Sequence, residues 1–94
     1  MKTVTLDNIE YNILKDYREA FDQEALAERY TEYFHDFDYV LGDWSYGMLR
    51  LKGFYKKGNK NCKDINNFEK VDEYIQKNCA YDGRYFIIEK NTGK

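Results

Sequence analysis

The sequence predicts an α+β fold in which a mostly antiparallel sheet packs against two helices. Strand patterns lie near both ends of the chain, an aromatic-rich hairpin pattern occupies residues 37–55, and two stretches of helical periodicity separate them. The element order is therefore β(β)-α-β-β-α-β. This order matches the ferredoxin-like, split βαβ arrangement, with both helices on one face of the sheet. The alternative is a two-sheet variant, in which the extra N-terminal strand lies outside the main sheet.

The N-terminal third contains a small hairpin pattern followed by the first helix. Residues 4–6 and 9–13 are rich in β-branched or alternating apolar side chains, and an Asp-Asn turn signal separates them. Asp22 is expected to cap the first helix. Apolar side chains then recur at helical spacing as far as residue 37, which predicts a helix of about four turns.

The central hairpin is the densest aromatic and branched-aliphatic stretch of the chain. Alternation along its first strand places Val40 and Leu41 on opposite faces of the sheet. Gly42 and Gly53, inside the two strands, predict bulges or the close approach of another group. Gly47 lies in the short connection and is expected to adopt a positive φ angle.

The C-terminal half begins with a lysine-rich loop. Residues 56–63 contain four lysines and no acidic residue, together with glycine and asparagine, which predicts a mobile, solvated loop. Asp64 or Asn66 is expected to cap a second helix that continues to about residue 78. Residues 84–90 have the dense apolar pattern of a last strand.

Length and composition indicate an ordinary globular protein. The 94 residues are expected to form a single domain, residues 1–94, and the composition is 43% hydrophobic and 34% charged. No apolar run is long enough to span a membrane, and the N-terminus lacks the apolar core of a secretory signal, so we expect a cytoplasmic protein. Cys62 and Cys79 are expected to be reduced there, and a disulfide between them remains an alternative if the lysine-rich loop folds back on the second helix.

Charge is distributed unevenly along the chain. Residues 1–43 contain eleven acidic and four basic residues, whereas residues 44–94 contain six acidic and eleven basic residues. One interpretation is that the two parts form differently solvated faces of one domain. The other is that the second half forms an anion-binding surface, or one that is complementary to the first half of another copy.

Residue patterns argue against an enzyme. The chain has no phosphate-binding glycine loop, no nucleophile elbow and no CxxC motif. A nucleophilic cysteine would need a base, and His35 is the one histidine of the chain. We therefore expect no catalytic residues, no cofactor and no metal site. The best polar cluster for catalysis would combine Asp43, Trp44 and Arg50, but a simpler interpretation is that Asp43 caps the hairpin turn through backbone N–H groups.

Two functions fit these features. The first is a protein-interaction or regulatory module that binds a protein partner or associates with itself. The alternative is binding of RNA or another phosphate-bearing ligand through the basic region, with Tyr46 and Tyr55 as stacking surfaces. The candidate binding residues for these functions are Trp44, Tyr46, Arg50, Lys52, Tyr55, Lys56, Lys57, Lys60 and Lys63. The sequence pI of about 5.4 weighs against a dedicated nucleic-acid-binding domain, for which a pI above about 9 is typical.

The hairpin also resembles a known family. Residues 39–55, above all the blocks Gly42-Asp43-Trp44 and Leu49–Phe54, are similar to the signature of the YutD-like proteins, small bacterial proteins of uncharacterised function. The helix around residues 24–30 and the last strand around residues 85–88 are similar as well. The resemblance implies a bacterial, cytoplasmic origin and a compact α+β domain, and it brings no catalytic residues.

Overall fold

The computed structural model describes residues 2–78 and 83–91, and within these residues five strands form one sheet. The strands are β1 (Thr3–Leu6), β2 (Ile9–Tyr17), β3 (Tyr39–Ser45), β4 (Met48–Phe54) and β5 (Tyr85–Lys90). The helices are α1 (Gln23–Arg29) and α2 (Val71–Asn78), with 3-10 helices at Glu32–Phe34, Asp64–Asn66 and Phe68–Lys70. All neighbouring strands are antiparallel. The predicted α+β class and element order are therefore confirmed.

The strand order, β1-β2-β5-β3-β4, differs from that of a ferredoxin-like sheet. In the ferredoxin-like arrangement the second hairpin strand lies between the two strands of the first βαβ unit. Here β5 takes that place and β4 forms an edge. The three consecutive residues Phe86, Ile87 and Ile88 are 0%, 7% and 0% exposed, and burial on both faces favours a central strand. Because β1 pairs with β2, the two-sheet variant is not found.

The helices cover opposite faces of the sheet, so the expectation that both lie on one face is wrong. Val40 packs in a cluster with Leu26 of α1, whereas its neighbour Leu41 packs in a second cluster with Val71 of α2. Successive side chains along a strand point to opposite faces. The central strands therefore contribute to two separate cores, one under each helix.

The first helix is shorter than its periodicity predicted. Asp22 caps it as expected, because its Oδ1 accepts the N–H of Ala25 at 3.1 Å. Tyr30 then adopts an extended backbone with ψ of 131°, and Thr31 accepts the N–H of Tyr33 at 3.3 Å to begin a 3-10 helix. The extended step changes the chain direction, so Tyr33 and Phe34 belong to the separate 3-10 helix and Phe37 lies beyond it.

This break allows two tyrosine hydroxyls to meet inside the core. The oxygens of Tyr11 and Tyr30 are 2.5 Å apart, and the residues are 0% and 8% exposed. Burial raises the pKa of Tyr11 far above its usual value, and the hydrogen bond to Tyr30 raises it further. Burial also raises the pKa of Tyr30. Both side chains are therefore neutral and join β2 to the end of α1.

The second helical stretch is also divided. Neither predicted residue caps α2: Asn66 accepts the N–H of Lys63 at 2.6 Å, and Asp64 begins a separate 3-10 helix. Asn67 starts the next turn by accepting the N–H of Glu69 at 2.9 Å. None of the described helices is long and apolar enough to cross a membrane.

Both strand glycines allow an aromatic ring to lie on the backbone, as expected for a close approach. A Cβ atom on Gly42 would lie 2.3 Å from the ring of Phe86, and one on Gly53 would lie 2.3 Å from the ring of Phe37. These distances are far below van der Waals contact. Only glycine fits at either position without a shift of the ring.

A two-residue turn joins β3 to β4. Tyr46 and Gly47 have φ angles of 53° and 76°, and Ser45 pairs with Met48. Positive φ at both central residues defines a type I′ turn, whose twist suits a hairpin. The expectation of a positive φ at Gly47 is confirmed.

We expect Gly47→Val to destabilise the protein by about 1–2 kcal/mol, since a β-branched residue is strained in the left-handed region. No atom lies within 4 Å of a Cβ placed on Gly47, so the loss would come from the backbone alone. Urea unfolding of the variant measures this loss. Gly47→Asn is the matched control, because asparagine tolerates positive φ, and an equal loss in both variants would contradict the interpretation.

Candidate functional site

The candidate site lies at the turn end of the hairpin, where a buried acid and a half-exposed base face each other. Asp43 is 4% exposed and pairs across the strands with Arg50. The Arg50 Nη2 donates to the Asp43 Oδ2 at 2.5 Å, and the arginine side chain is 49% exposed. A buried carboxylate needs such a partner. Asp43 therefore does not cap the turn, and that interpretation is corrected.

Trp44 lies on the opposite face from this ion pair. Its indole N–H donates to the carbonyl oxygen of Ala20 at 2.8 Å, and the guanidinium of Arg84 lies 5.3 Å from the centre of its ring. Since Asp43 and Trp44 are successive strand residues, they point to opposite faces. The hypothetical catalytic cluster of Asp43, Trp44 and Arg50 is therefore not assembled.

Trp44 and Arg84 together hold a tight turn after β2. Arg18 and Glu19 have positive φ angles of 60° and 54°, which is uncommon for two successive residues with side chains. Arg84 donates to both of their carbonyl oxygens, from Nε to Arg18 at 3.3 Å and from Nη2 to Glu19 at 2.9 Å. Asp16 completes the turn, because its Oδ1 accepts the backbone N–H groups of Ala20 and Phe21 at 2.7 and 3.0 Å.

The hairpin tip presents two large side chains to solvent. Tyr46 is fully exposed and Met48 is 53% exposed. A small groove of about 190 Å³ lies between this tip and α1, and its lining includes Ala25, Trp44 and Leu49. The tip is therefore a tight turn with exposed aromatic and thioether surface beside a groove of mixed lining, to which Glu28 and Arg29 of α1 also contribute. Exposed surface of this kind suits contact with another protein.

Tyr55, a predicted stacking residue, is not available on the surface. It is 9% exposed, and its ring centre lies 4.7 Å from that of Phe37. Burial raises the pKa of its hydroxyl, and nearby Asp36 adds to this. Tyr55 therefore belongs to the core, and the proposed stacking role is corrected.

Acidic side chains from distant parts of the chain contact the lysine-rich loop. The Asp38 Oδ2 accepts the backbone N–H of Lys56 at 2.9 Å and the Asn59 side-chain amide at 3.1 Å. The Lys56 Nζ lies 3.8 Å from a Glu89 carboxylate oxygen. Sequence reasoning counted acids only within the loop and missed these partners. Cys62 lies in this loop, whereas Cys79, its alternative disulfide partner, lies outside the described residues.

The nine candidate binding residues do not converge on one site. Trp44, Tyr46 and Arg50 lie near the turn end of the hairpin, and the four loop lysines follow its other end. Between them β4 has seven residues, which span about 20–24 Å at roughly 3.4 Å each. Lys52 lies midway, with its Nζ 5.4 Å from the ring centre of Phe54 and 5.9 Å from that of Tyr74. The structure therefore separates a hairpin-tip surface from a lysine surface.

Arg84 and the turn at residues 18–19 were not anticipated from the sequence. Arg84 contacts Trp44 and the turn, although 40 and more residues separate them in the chain. No spacing pattern signals such a contact.

His35, the candidate base, makes a surface pair with Asp7 at 3.0 Å. In the described part of the chain no three His, Cys, Asp or Glu side chains cluster as metal ligands would.

Comparison with known proteins gives a consistent assignment. The family model described as "Putative antitoxin YutD-like" matches residues 5–89. The chain is 32% identical over 87 residues to "Putative antitoxin YutD" of Bacillus subtilis strain 168, covering 93% of this chain and 96% of that protein. The solution NMR structure of protein yutD from B. subtilis is similar with a TM-score of 0.81 at 30% identity, covering 98% of this chain and 84% of that one.

We expect Trp44→Ala to destabilise the protein by about 2–4 kcal/mol, because it removes a large aromatic and leaves the Ala20 carbonyl without its donor. The residue is only partly buried, so the cost is below that of a fully buried tryptophan. Trp44→Phe keeps most of the apolar area and should cost about 1–2 kcal/mol through the lost hydrogen bond. Urea unfolding of both variants checks this, and losses below about 1 kcal/mol for Trp44→Ala would contradict a structural role.

Proposed function

Since the chain belongs to the YutD-like family, we propose that it is a non-catalytic regulatory protein that acts by binding a protein partner. The B. subtilis relative is named "Putative antitoxin YutD", and an antitoxin acts by restraining a toxin. We propose the same kind of action for this chain, namely that it binds a partner protein and blocks the activity of that partner. We further propose that it acts in the cytoplasm and as a single domain.

The observation that carries the proposal is the exposed hairpin tip. Tyr46 and Met48 present aromatic and thioether surface on a turn whose backbone is fixed by the adjoining strand pairs. Such residues are enriched where proteins bind each other. Fixing them on a type I′ turn lowers the ordering cost of binding, because little conformational freedom remains to be lost.

Charge placement supports a protein partner more than a nucleic acid. Asp43 of the first half pairs with Arg50 of the second half, and Asp38 contacts the backbone of the lysine-rich loop. The formal net charge is −2. The uneven charge of the two halves is thus partly neutralised inside one molecule, which weakens any long-range attraction for phosphates.

The proposal predicts that a partner protein is recovered through the tip. The immobilised chain is exposed to an RNase-treated lysate of the cells that naturally make it, beside the variant Tyr46→Asn with Met48→Thr. Asparagine keeps the positive φ and threonine suits a strand, so the variant should fold. We expect a protein to be retained by the unaltered chain and lost from the variant. Expression of that protein alone should arrest growth, and coexpression of the unaltered chain should relieve the arrest.

Tyr33→Ser is the matched control, since it removes a 69% exposed tyrosine at a different surface. It should retain the partner and relieve the arrest. Relief by the tip variant equal to that by the unaltered chain would overturn the role of the tip. Retention that depends on RNA, or growth that coexpression does not restore, would contradict the proposed function. A light-scattering mass of twice the chain would instead indicate self-association.

The second candidate function is RNA binding through the lysine-rich loop. Lys57, Lys60 and Lys63 make no side-chain ion pair within the described residues, so their ammonium groups are available to phosphates. With Lys56 they could contact about four phosphates, for which the log–log salt slope of binding to a short RNA is about −3.

Replacement of the four loop lysines by glutamine should therefore flatten the salt slope and weaken RNA binding, with the thermal midpoint almost unchanged. The tip variant is the control: the length of β4 separates Tyr46 from the loop, so Tyr46 is not expected to stack on RNA held there and the variant should bind RNA normally. Absence of RNA binding by the unaltered chain at low salt, or equal affinity in the quadruple variant, would exclude this candidate.

A further inference from the structure

The outer edge of β4 has backbone groups that point away from the sheet. Trp44 of β3 donates its N–H to Arg84 at 3.1 Å, and the carbonyl of Asp38, which precedes β3, accepts the N–H of Lys90 at 2.8 Å. The even-numbered residues of β3 therefore bond to β5. Odd-numbered residues of β3 must then bond to β4, because the direction alternates along a strand. Their partners in β4 are its even-numbered residues. The N–H and C=O groups of Leu49 and Leu51 therefore point outward.

The same edge already pairs with one segment of the chain. Tyr55 continues the outward series; its N–H donates to Asn66 at 2.8 Å and its carbonyl accepts from Phe68 at 3.0 Å, as in a parallel strand pair. Among the described residues, none bonds to the outward backbone groups of Leu49 or Leu51. The edge is thus occupied beyond the end of β4 and open along its first half.

Each face beside this open edge has its own chemistry. On the α1 face lies the groove of about 190 Å³, in which Trp44 and Leu49 provide apolar lining and Glu28 and Arg29 of α1 provide charged lining. On the α2 face β4 carries the cations Lys52 and Arg50, and the Arg50 side chain is 49% exposed beside its partner Asp43. A strand added at the edge would place alternate side chains on these two faces.

We infer that β4 binds an extended segment of a partner protein by strand addition, and that this segment alternates apolar with acidic side chains. The inference rests on the proposed function, because it names how the partner is held. Backbone hydrogen bonds to Leu49 and Leu51 provide the attachment, in the manner of β-augmentation. The apolar side chains enter the groove beside α1, and the acidic ones meet Arg50 and Lys52.

A second copy of the chain is a poor occupant of the same edge. Two-fold antiparallel pairing centred on Leu51 would place Arg50 of each copy opposite Lys52 of the other. Like charges directly opposite each other destabilise a strand pair. The cations thus act against pairing of β4 with itself, which is a common way to protect an edge strand, while they favour an acidic strand.

The test uses a dye-labelled peptide of alternating valine and aspartate, seven residues long, and fluorescence anisotropy with the full chain. We expect saturable binding, with slower amide exchange at Leu49 and Leu51. Methylation of the peptide nitrogens that face the protein should weaken binding at least about tenfold, equal to about 1.4 kcal/mol. Lys52→Glu should weaken binding of this peptide and strengthen binding of a peptide that alternates valine and lysine. Lys57→Glu in the distant loop should change the affinity for neither peptide.

Equal binding of the methylated peptide, or of a peptide with the same composition and its valines and aspartates in separate blocks, would overturn strand addition. So would unchanged amide exchange at Leu51. These outcomes leave the proposed function intact, since retention of a partner through the tip is measured separately. Conversely, peptide binding with no partner recovered would contradict the proposed function and support the edge as a binding surface.

Discussion

The structure depends on aromatic rings that lie directly on strand backbone. Phe86 of β5 covers Gly42 of β3, and Phe37 covers Gly53 of β4, each at a position where a Cβ atom would collide with the ring. Phe86 is fully buried, and Phe21 meets it edge to face with ring centres 5.2 Å apart. The missing side chains let the aromatic layer approach the sheet closely. The α1 face of the sheet therefore has a thin, dense core in a chain too short to form a thick one.

Local patterns predicted the local structure well. The cap at Asp22, the two hairpins and the positive φ at Gly47 depend on neighbouring residues and were read correctly from the sequence. The position of β5 and the placement of the helices on opposite faces depend on contacts across the whole chain. Their signal was present in the consecutive apolar residues 86–88, which suit a strand covered on both faces. The length of α1 was overestimated because the aromatic periodicity continues past an extended step at Tyr30.

The candidate site was predictable only in part, for a related reason. Exposure of Tyr46 follows from its place in a tight turn, but the burial of Tyr55 depends on Phe37 and could not be read from the hairpin alone. Arg84 reaches the turn after β2 only because β5 lies next to both β2 and β3. Asp38 likewise meets the lysine-rich loop through the hairpin register. Charge counts along a sequence miss neutralisation that the fold creates between distant segments.

The central place of β5 has a consequence for the order of events during synthesis. The hairpins β1–β2 and β3–β4 are close in sequence and can pair as soon as each has left the ribosome, since short loops close quickly. They cannot join into one sheet until residues 85–90 have emerged, because β5 is the strand between them. Up to that moment the nascent chain carries two separate hairpins whose inner edges lack partners, and such edges are prone to wrong pairing. Pairing of β5 is therefore the closing step of sheet assembly, and the sheet is complete only after residues 85–90 have left the ribosome.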